Sequence, residues 1–253
     1  MNKVIYTKFN STRKTEFQIK TSIIIRDGNK YVIKKAMNDT AKKHLENIAL
    51  NYNVLKDYYN DIKLVSCDAS DKSMEFSFIN GKSLMSDIDF LNDDVKTLVE
   101  KISYILDIIL DVKDEYKKQF EISDRFKEMF PDCEPQKEDA FRKANLDSIF
   151  DNFIKVNEDI FCIDYEWVCD FDIPVNYVKY RALFYLYMEH IDLMRKKISL
   201  EDFLSAFGVD DIELYQHMEE CFQQYVHGEN RKYIYTKTTA KLTTWQPSVT
   251  IKL

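Results

Sequence analysis

The stretch Asn145–Val168 reads NLDSIFDNFIKVNEDIFCIDYEWV. Asp147 is followed five residues later by Asn152. A short apolar run comes next, then a turn at Asn157–Asp159, then a second apolar run, Ile160–Ile163, that ends on Asp164. Two short runs joined by a tight polar turn predict a β-hairpin. The hairpin would bring Asn152, at its start, beside Asp164, at its end. In so acidic a chain an Asp-x4-Asn spacing means nothing alone. Order and context give it value.

Working upstream, the first 80 residues predict strands and one helix, in the order β-β-β-α-β-β. Val4–Phe9 and Glu16–Arg26 are rich in β-branched and aromatic residues. Asp27-Gly28 predicts a two-residue hairpin turn, which needs positive φ at both positions. Lys30–Met37 is the returning strand. A helix starts near Thr40, a candidate cap, with Leu45, Ile48, Ala49, Tyr52 and Leu55 recurring on one face. Ile62–Cys67 and Ser73–Ile79 complete the set, and Asn80-Gly81 ends the last strand. Beyond Gly81 helices dominate: Leu91–Ile109, Pro174–Lys197, Leu200–Phe207 and Asp211–Val226. The tail, Tyr233–Leu253, looks extended. The expected fold is α+β and two-lobed: a five-stranded antiparallel lobe with one helix (residues 1–80), then a mostly helical lobe (81–232) and a tail (233–253).

This layout resembles that of kinase-like phosphotransferases, and phosphoryl transfer from ATP needs four groups. A cation holds the α/β-phosphates, a carboxylate orients that cation, a carboxylate meets the attacking hydroxyl, and oxygen ligands hold Mg²⁺. Lys34 in YVIK shares a strand face with Val32, which puts an ammonium over the phosphates and an apolar residue over the base. Lys35, on the other face, is the fallback. Glu46, one of two acidic residues between Thr40 and Asp57, is the candidate partner of Lys34. On the residues alone, an exposed lysine pair and a solvated glutamate are equally open. MEFSFINGKSL, Met74–Leu84, ends a strand in a connector whose backbone would bind adenine. Phe76, Phe78 and Ile79, with Val32 and Ile163, are the candidate nucleotide-binding apolar residues.

The Asn145–Val168 stretch resembles the catalytic loop and metal segment of aminoglycoside phosphotransferases, choline kinases and bacterial lipopolysaccharide- and polysaccharide-associated sugar kinases. Their pattern is H-x-D-x-x-x-x-N, a hairpin, then apolar-I-D-[FY]-[GE]. The resemblance implies that Asp147 is the catalytic carboxylate, that Asn152 and Asp164 hold Mg²⁺, and that ATP is the cofactor. I-D-Y-E at Ile163–Glu166 is similar to the choline-kinase form, and FSFINGKSL resembles the hinge of small-molecule and sugar kinases. Three departures matter. Asn145 stands at the family histidine. Asn10-Ser11-Thr12-Arg13-Lys14 replaces a glycine-rich loop, leaving Ser11, Thr12 and Arg13 as side-chain phosphate contacts or as a plain turn. Ile173-Pro174 leads straight into a helix, with no long activation loop.

The rest of the composition excludes more than it assigns. The chain has 253 residues, 36 Lys and Arg against 43 Asp and Glu, and a formal charge of -7. That disfavours a duplex nucleic-acid binder. No apolar run reaches the length of a membrane span, and MNKVIYTKFNSTRK lacks the apolar core of a signal peptide. The five cysteines lack CxxC spacing and the four histidines are scattered, so spacing supplies no zinc signature. Reduced thiols and a cytoplasmic location are the expectation.

For the acceptor, three segments are candidates: Glu128–Asp139, Trp167–Phe171, and the helix with Tyr177, Tyr180, Phe184, Tyr185 and Tyr187, whose rings equally suit a core. IDYEWV…IPVNYVKYRALFYLY, with FQQYVHGEN, resembles kinase-like modules of bacterial surface-polysaccharide proteins, often joined to glycosyltransferase or methyltransferase domains. That implies a sugar or glycan hydroxyl as acceptor. The alternatives are a choline- or aminoglycoside-type kinase, with Glu166, Trp167 and Asp170 forming part of a cation cage, and a catalytically weak binding module.

Overall fold

The computed structural model describes residues 2–70 and 72–228. The expected tail, 233–253, lies outside the described residues. The chain opens with β1 (Lys3–Phe9), β2 (Ile19–Arg26) and β3 (Asn29–Ala36), then α1 (Lys42–Leu55). Asp27 and Gly28 both have positive φ, 51° and 83°, so the β2–β3 connection is the tight turn that the Asp-Gly pair predicts. Thr40 does not cap α1. The helix starts after Ala41 with no side-chain cap bond, and Asn38 instead closes the turn before it, its Oδ1 accepting from the Ala41 N–H at 3.0 Å and from the Thr40 hydroxyl at 2.6 Å. His44, Leu45, Ile48 and Leu55 form the buried side of the helix.

The expected strand Ile62–Cys67 divides in two. β4 (Ile62–Leu64) leaves the first sheet, whereas β5 (Cys67–Ser70) pairs with β6 (Ser73–Ser77). The first sheet is thus five-stranded and antiparallel throughout, in the order β1-β2-β3-β6-β5. A two-residue strand, β7 (Lys82–Ser83), follows Gly81.

The second lobe holds α2 (Val95–Ile109), α3 (Asp124–Met129), α4 (Val175–Glu189), α5 (Ile191–Met194), α6 (Leu200–Ser205) and α7 (Ile212–His227). The expected helix Pro174–Lys197 breaks at His190, whose ring stacks on Phe90 at 3.7 Å. Tyr177, Tyr180 and Tyr187 are buried, so the aromatic residues of α4 are mainly core. β8 (Lys117–Gln119), β9 (Asp139–Phe141) and β14 (Ile173–Pro174) form a small sheet. β10 (Ala144–Asn145) pairs with β13 (Val168–Cys169).

The predicted hairpin is present as β11 (Phe153–Val156) and β12 (Asp159–Cys162). β4 pairs with β12 in parallel, and β7 with β11 antiparallel. The segments that enter and leave the end of the first lobe therefore clasp the hairpin from both sides. Gly81 makes this possible. A Cβ there would lie 2.3 Å from the Lys155 carbonyl oxygen and 2.7 Å from side-chain carbons of Ile154 and Val156. The nearest obstacle is backbone, which cannot step aside cheaply. Gly81→Ala is expected to cost about 1–3 kcal/mol, a fall in Tm of roughly 2–10 °C. A thermal melt with no change in Tm would mean that β7 does not approach β11 so closely.

Candidate active site

The 145–168 stretch is a closed unit, because its ends pair with each other: Asn145 faces Val168 across β10 and β13. This brings Asp147 beside Trp167, whose backbone N–H donates to Asp147 Oδ2 at 2.8 Å. The Asn152 side-chain amide donates to the Asp147 carbonyl at 2.8 Å. The Ile163 N–H donates to the Asn152 carbonyl at 2.9 Å, holding Asn152 next to the segment that carries Asp164.

Asn145 supports this loop. Its side-chain oxygen accepts from the Asp147 N–H at 3.0 Å. Its amide donates to the Asp164 carbonyl at 3.4 Å and to the Tyr59 hydroxyl at 3.3 Å. One buried amide thus ties the loop of Asp147 to the segment of Asp164. From beneath, the Arg181 Nε donates to the Leu146 carbonyl at 3.1 Å. Arg181 is itself ion-paired with buried Glu219.

Lys34 reaches this unit from β3. Its ammonium lies 2.7 Å from Asp164 Oδ1 and 3.4 Å from Glu166 Oε2. Burial by itself would lower its pKa, but Asp164 and Glu166 outweigh that and hold it above its ordinary value. Lys35, the fallback, is exposed. Val32 and Phe76 are cross-strand partners, and Phe76 is buried below the Lys34 ammonium, which lies 5.9 Å from its ring centroid. Phe78 and Ile79 are half-buried at the end of the sheet, and Ile163 is exposed.

Glu46 does not take the expected place. Its side chain is 64% exposed and pairs with Lys43 on the same helix at 3.8 Å. The reason is helical geometry. His44, Ile48 and Asn51 share the inward side, and Glu46 lies about 200° around the axis from His44. The carboxylate facing Lys34 is Glu166, and α1 reaches Glu166 through His44, whose Nε2 is 2.8 Å from Glu166 Oε1. Asn51 adds two hydrogen bonds at 3.0 Å to the carbonyls of Tyr165 and Glu166. His44 and Asn51 are the residues that sequence reasoning missed. The signal was present, as polar residues seven apart on the apolar stripe.

Glu166 is also ion-paired with Arg13, from the loop between β1 and β2. The Arg13 guanidinium lies 5.4 Å from the Trp167 ring centroid. The same loop meets the end of α7: the Lys14 N–H donates to the Val226 carbonyl at 2.9 Å, and His227 Nδ1 lies 3.0 Å from the Thr12 carbonyl. Ser11, Thr12 and Arg13 therefore sit on a loop fixed at the site rather than in a free turn. Burial would raise the pKa of Glu166, but Arg13, Lys34 and His44 hold it well below the usual carboxylate range. Asp147 moves the other way, pushed up to about 7 by burial and by the charges of Asp164 and Glu166.

The second oxygen of Asp164 has no hydrogen bond among the described residues, and the Asn152 amide is tethered by its nitrogen, which leaves its oxygen to accept. These are hard oxygen donors beside an ammonium, a set that fits Mg²⁺ carrying phosphates. The aminoglycoside phosphotransferase APH(4)-Ia, a thermostable mutant crystallised with ADP and hygromycin B, superposes with a TM-score of 0.50 at 11% identity. The match covers 97% of this chain and 96% of that one. The fold is that of the kinase-like phosphotransferases. Choline kinase LicA from Streptococcus pneumoniae is similar at 14% identity and a TM-score of 0.45, covering 89% of this chain and 90% of that one. Macrolide 2′-phosphotransferase MphH from Brachybacterium faecium is similar at 11% identity and a TM-score of 0.40, over 96% and 93%. No protein-family model and no curated protein sequence matches the chain.

Within this kinase-like fold the raised Asp147 pKa has a thermodynamic sign. The folded state holds a proton that the unfolded chain releases near pH 4, so stability falls as pH rises from about 4 to about 7. Urea melts of the metal-free protein should show that slope, and Asp147→Asn should flatten it. An identical slope in the variant would assign the titration elsewhere.

Proposed function

We propose that the chain is an ATP- and Mg²⁺-dependent phosphotransferase whose acceptor is a hydroxyl of a sugar or surface glycan. One observation carries the reading. Lys34, from a strand more than 100 residues upstream, forms an ion pair with Asp164 in the same Asn145–Val168 unit that holds Asp147 and Asn152 by a hydrogen bond.

Lys34 would anchor the α/β-phosphates, held in place by Glu166. Phe76, Val32 and the residues after β6 would bound the base. Asn152 and Asp164 would hold Mg²⁺, which when bound neutralises phosphate charge. Asp147 orients the acceptor hydroxyl and takes its proton as the oxygen attacks the γ-phosphorus. The bond from that phosphorus to the β-phosphate oxygen breaks, and ADP leaves. A group poised near neutral pH suits this proton transfer. Arg13 stands where other kinases place glycine, and it supplies a side-chain cation on the loop above the site.

A neutral acceptor is favoured over a quaternary ammonium by the state of the acids. Glu166 is turned inward to two cations, Arg13 and Lys34, and to the His44 imidazole. Asp170 lies 3.7 Å from Arg125 and 3.9 Å from Lys143. The acidic side of a cation cage is already neutralised. The binding-module alternative is disfavoured because every chemical role has a residue in place. The resemblance of the later helices to polysaccharide-associated modules supports a place in a larger glycosyltransferase or methyltransferase protein of the cytoplasm.

Two measurements test the reading. In thermal melts, ATP with Mg²⁺ at about 100 times its Kd should stabilise the wild type by roughly 2.7 kcal/mol, and Asp164→Ala should remove the metal-dependent part. In transfer assays against sugars, glycan ends and amino alcohols, followed by mass spectrometry, a sugar-type hydroxyl should gain a phosphoryl group. Asp147→Ala should slow that transfer by about 10²–10⁴. A protein that ignores every nucleotide contradicts the assignment.

A further inference from the structure

Outside the set of residues proposed for phosphoryl transfer, three metal-type donors meet on the second lobe. Cys133 Sγ, His217 and Cys221 Sγ all lie within 4.8 Å of one another. His217 and Cys221 are one turn apart on α7, so they share a face, and Cys221 Sγ lies 4.0 Å from His217 Nε2. Cys133 comes from the loop after α3. It follows Asp132, a non-glycine residue at φ 61°, and its N–H donates to the Phe130 carbonyl at 3.3 Å. This turn carries the thiol to the helix.

We propose that Cys133, His217 and Cys221 bind one Zn²⁺. Two thiolates and an imidazole are a donor set that selects zinc over magnesium. Tetrahedral Zn–S bonds of about 2.3 Å put two sulfurs roughly 3.8 Å apart, within the observed spread. Binding at pH 7 releases the thiol protons. Cys133 is buried, Cys221 half-buried and His217 exposed, so the metal enters from the His217 side and water completes the coordination. Spacing rules missed this site because Cys133 and His217 are far apart in sequence and only the fold joins them.

The site's position gives it a role. Next to Cys221 on α7, Phe222 packs edge-on to Trp167 at 5.6 Å, and the end of α7 binds the Arg13 loop. Zinc would pin α7 to the α3 loop and so steady the helix behind the site, apart from phosphoryl transfer.

The test uses zinc alone. The full chain, purified under reducing conditions and stripped with a chelator, is titrated with Zn²⁺, and metal content, Tm and the Co²⁺-substituted spectrum are recorded. The expected result is one zinc per chain, a rise in Tm of about 5–10 °C at 100 times Kd, and a sulfur-to-cobalt charge-transfer band. His217→Ala, at an exposed position where folding is safe, should weaken binding at least about tenfold, and Cys221→Ser should abolish the band. Zinc uptake unchanged in His217→Ala, no uptake at all, or a Cys133–Cys221 disulfide that forms in place of the metal site would each overturn the proposal. None of these depends on whether the chain transfers phosphate.

Discussion

The buried carboxylate of Glu166 organises the site. It is 6% exposed and meets Arg13 from the β1–β2 loop, Lys34 from β3 and His44 from α1. A charge at this depth is tolerable only when paired and hydrogen-bonded. Each partner comes from a different element of the first lobe, while Glu166 itself belongs to the second. One carboxylate therefore ties the β1–β2 loop, β3 and α1 of the first lobe to the second and holds the Lys34 ammonium at the site. Aromatic rings seal the knot: Trp167 packs against His44 at 4.7 Å and Phe17 at 5.1 Å.

The hairpin depends on a second constraint, the close passage of the chain at Gly81. Because β4 and β7 flank β12 and β11, the hairpin that places Asn152 and Asp164 is built partly from the ends of the first lobe. Asn145 shows the same economy. It bonds the backbone of Asp147 and of Asp164 at once, so a neutral amide supports the loop where the resembled families carry histidine.

Much of this was legible in the sequence. The Asp-Gly turn and the 153–162 hairpin follow from local chemistry, and the resemblance to kinase-like phosphotransferases singled out Asp147, Asn152 and Asp164. What escaped was decided by three-dimensional phase and by long-range pairing. Glu46 looked like the partner of Lys34 because acid and base are expected to pair, but helical phase turns it outward and presents His44 instead. Ile62–Cys67 reads as one strand, yet its first half finds a partner about 100 residues later, which no local pattern encodes. The grouping of Cys133 with His217 and Cys221 is of the same kind.

The most direct test of the account compares Glu166→Gln with Glu46→Gln by calorimetric titration of ATP in the presence of Mg²⁺. Glu166→Gln is expected to weaken ATP binding at least about tenfold and to destabilise the fold by about 3–5 kcal/mol, because Arg13 and Lys34 lose their buried counter-charge. Glu46→Gln should leave both unchanged within about 0.5 kcal/mol, as for an ordinary surface substitution. The reverse pattern, with ATP binding lost in Glu46→Gln and kept in Glu166→Gln, would contradict the central role given to Glu166.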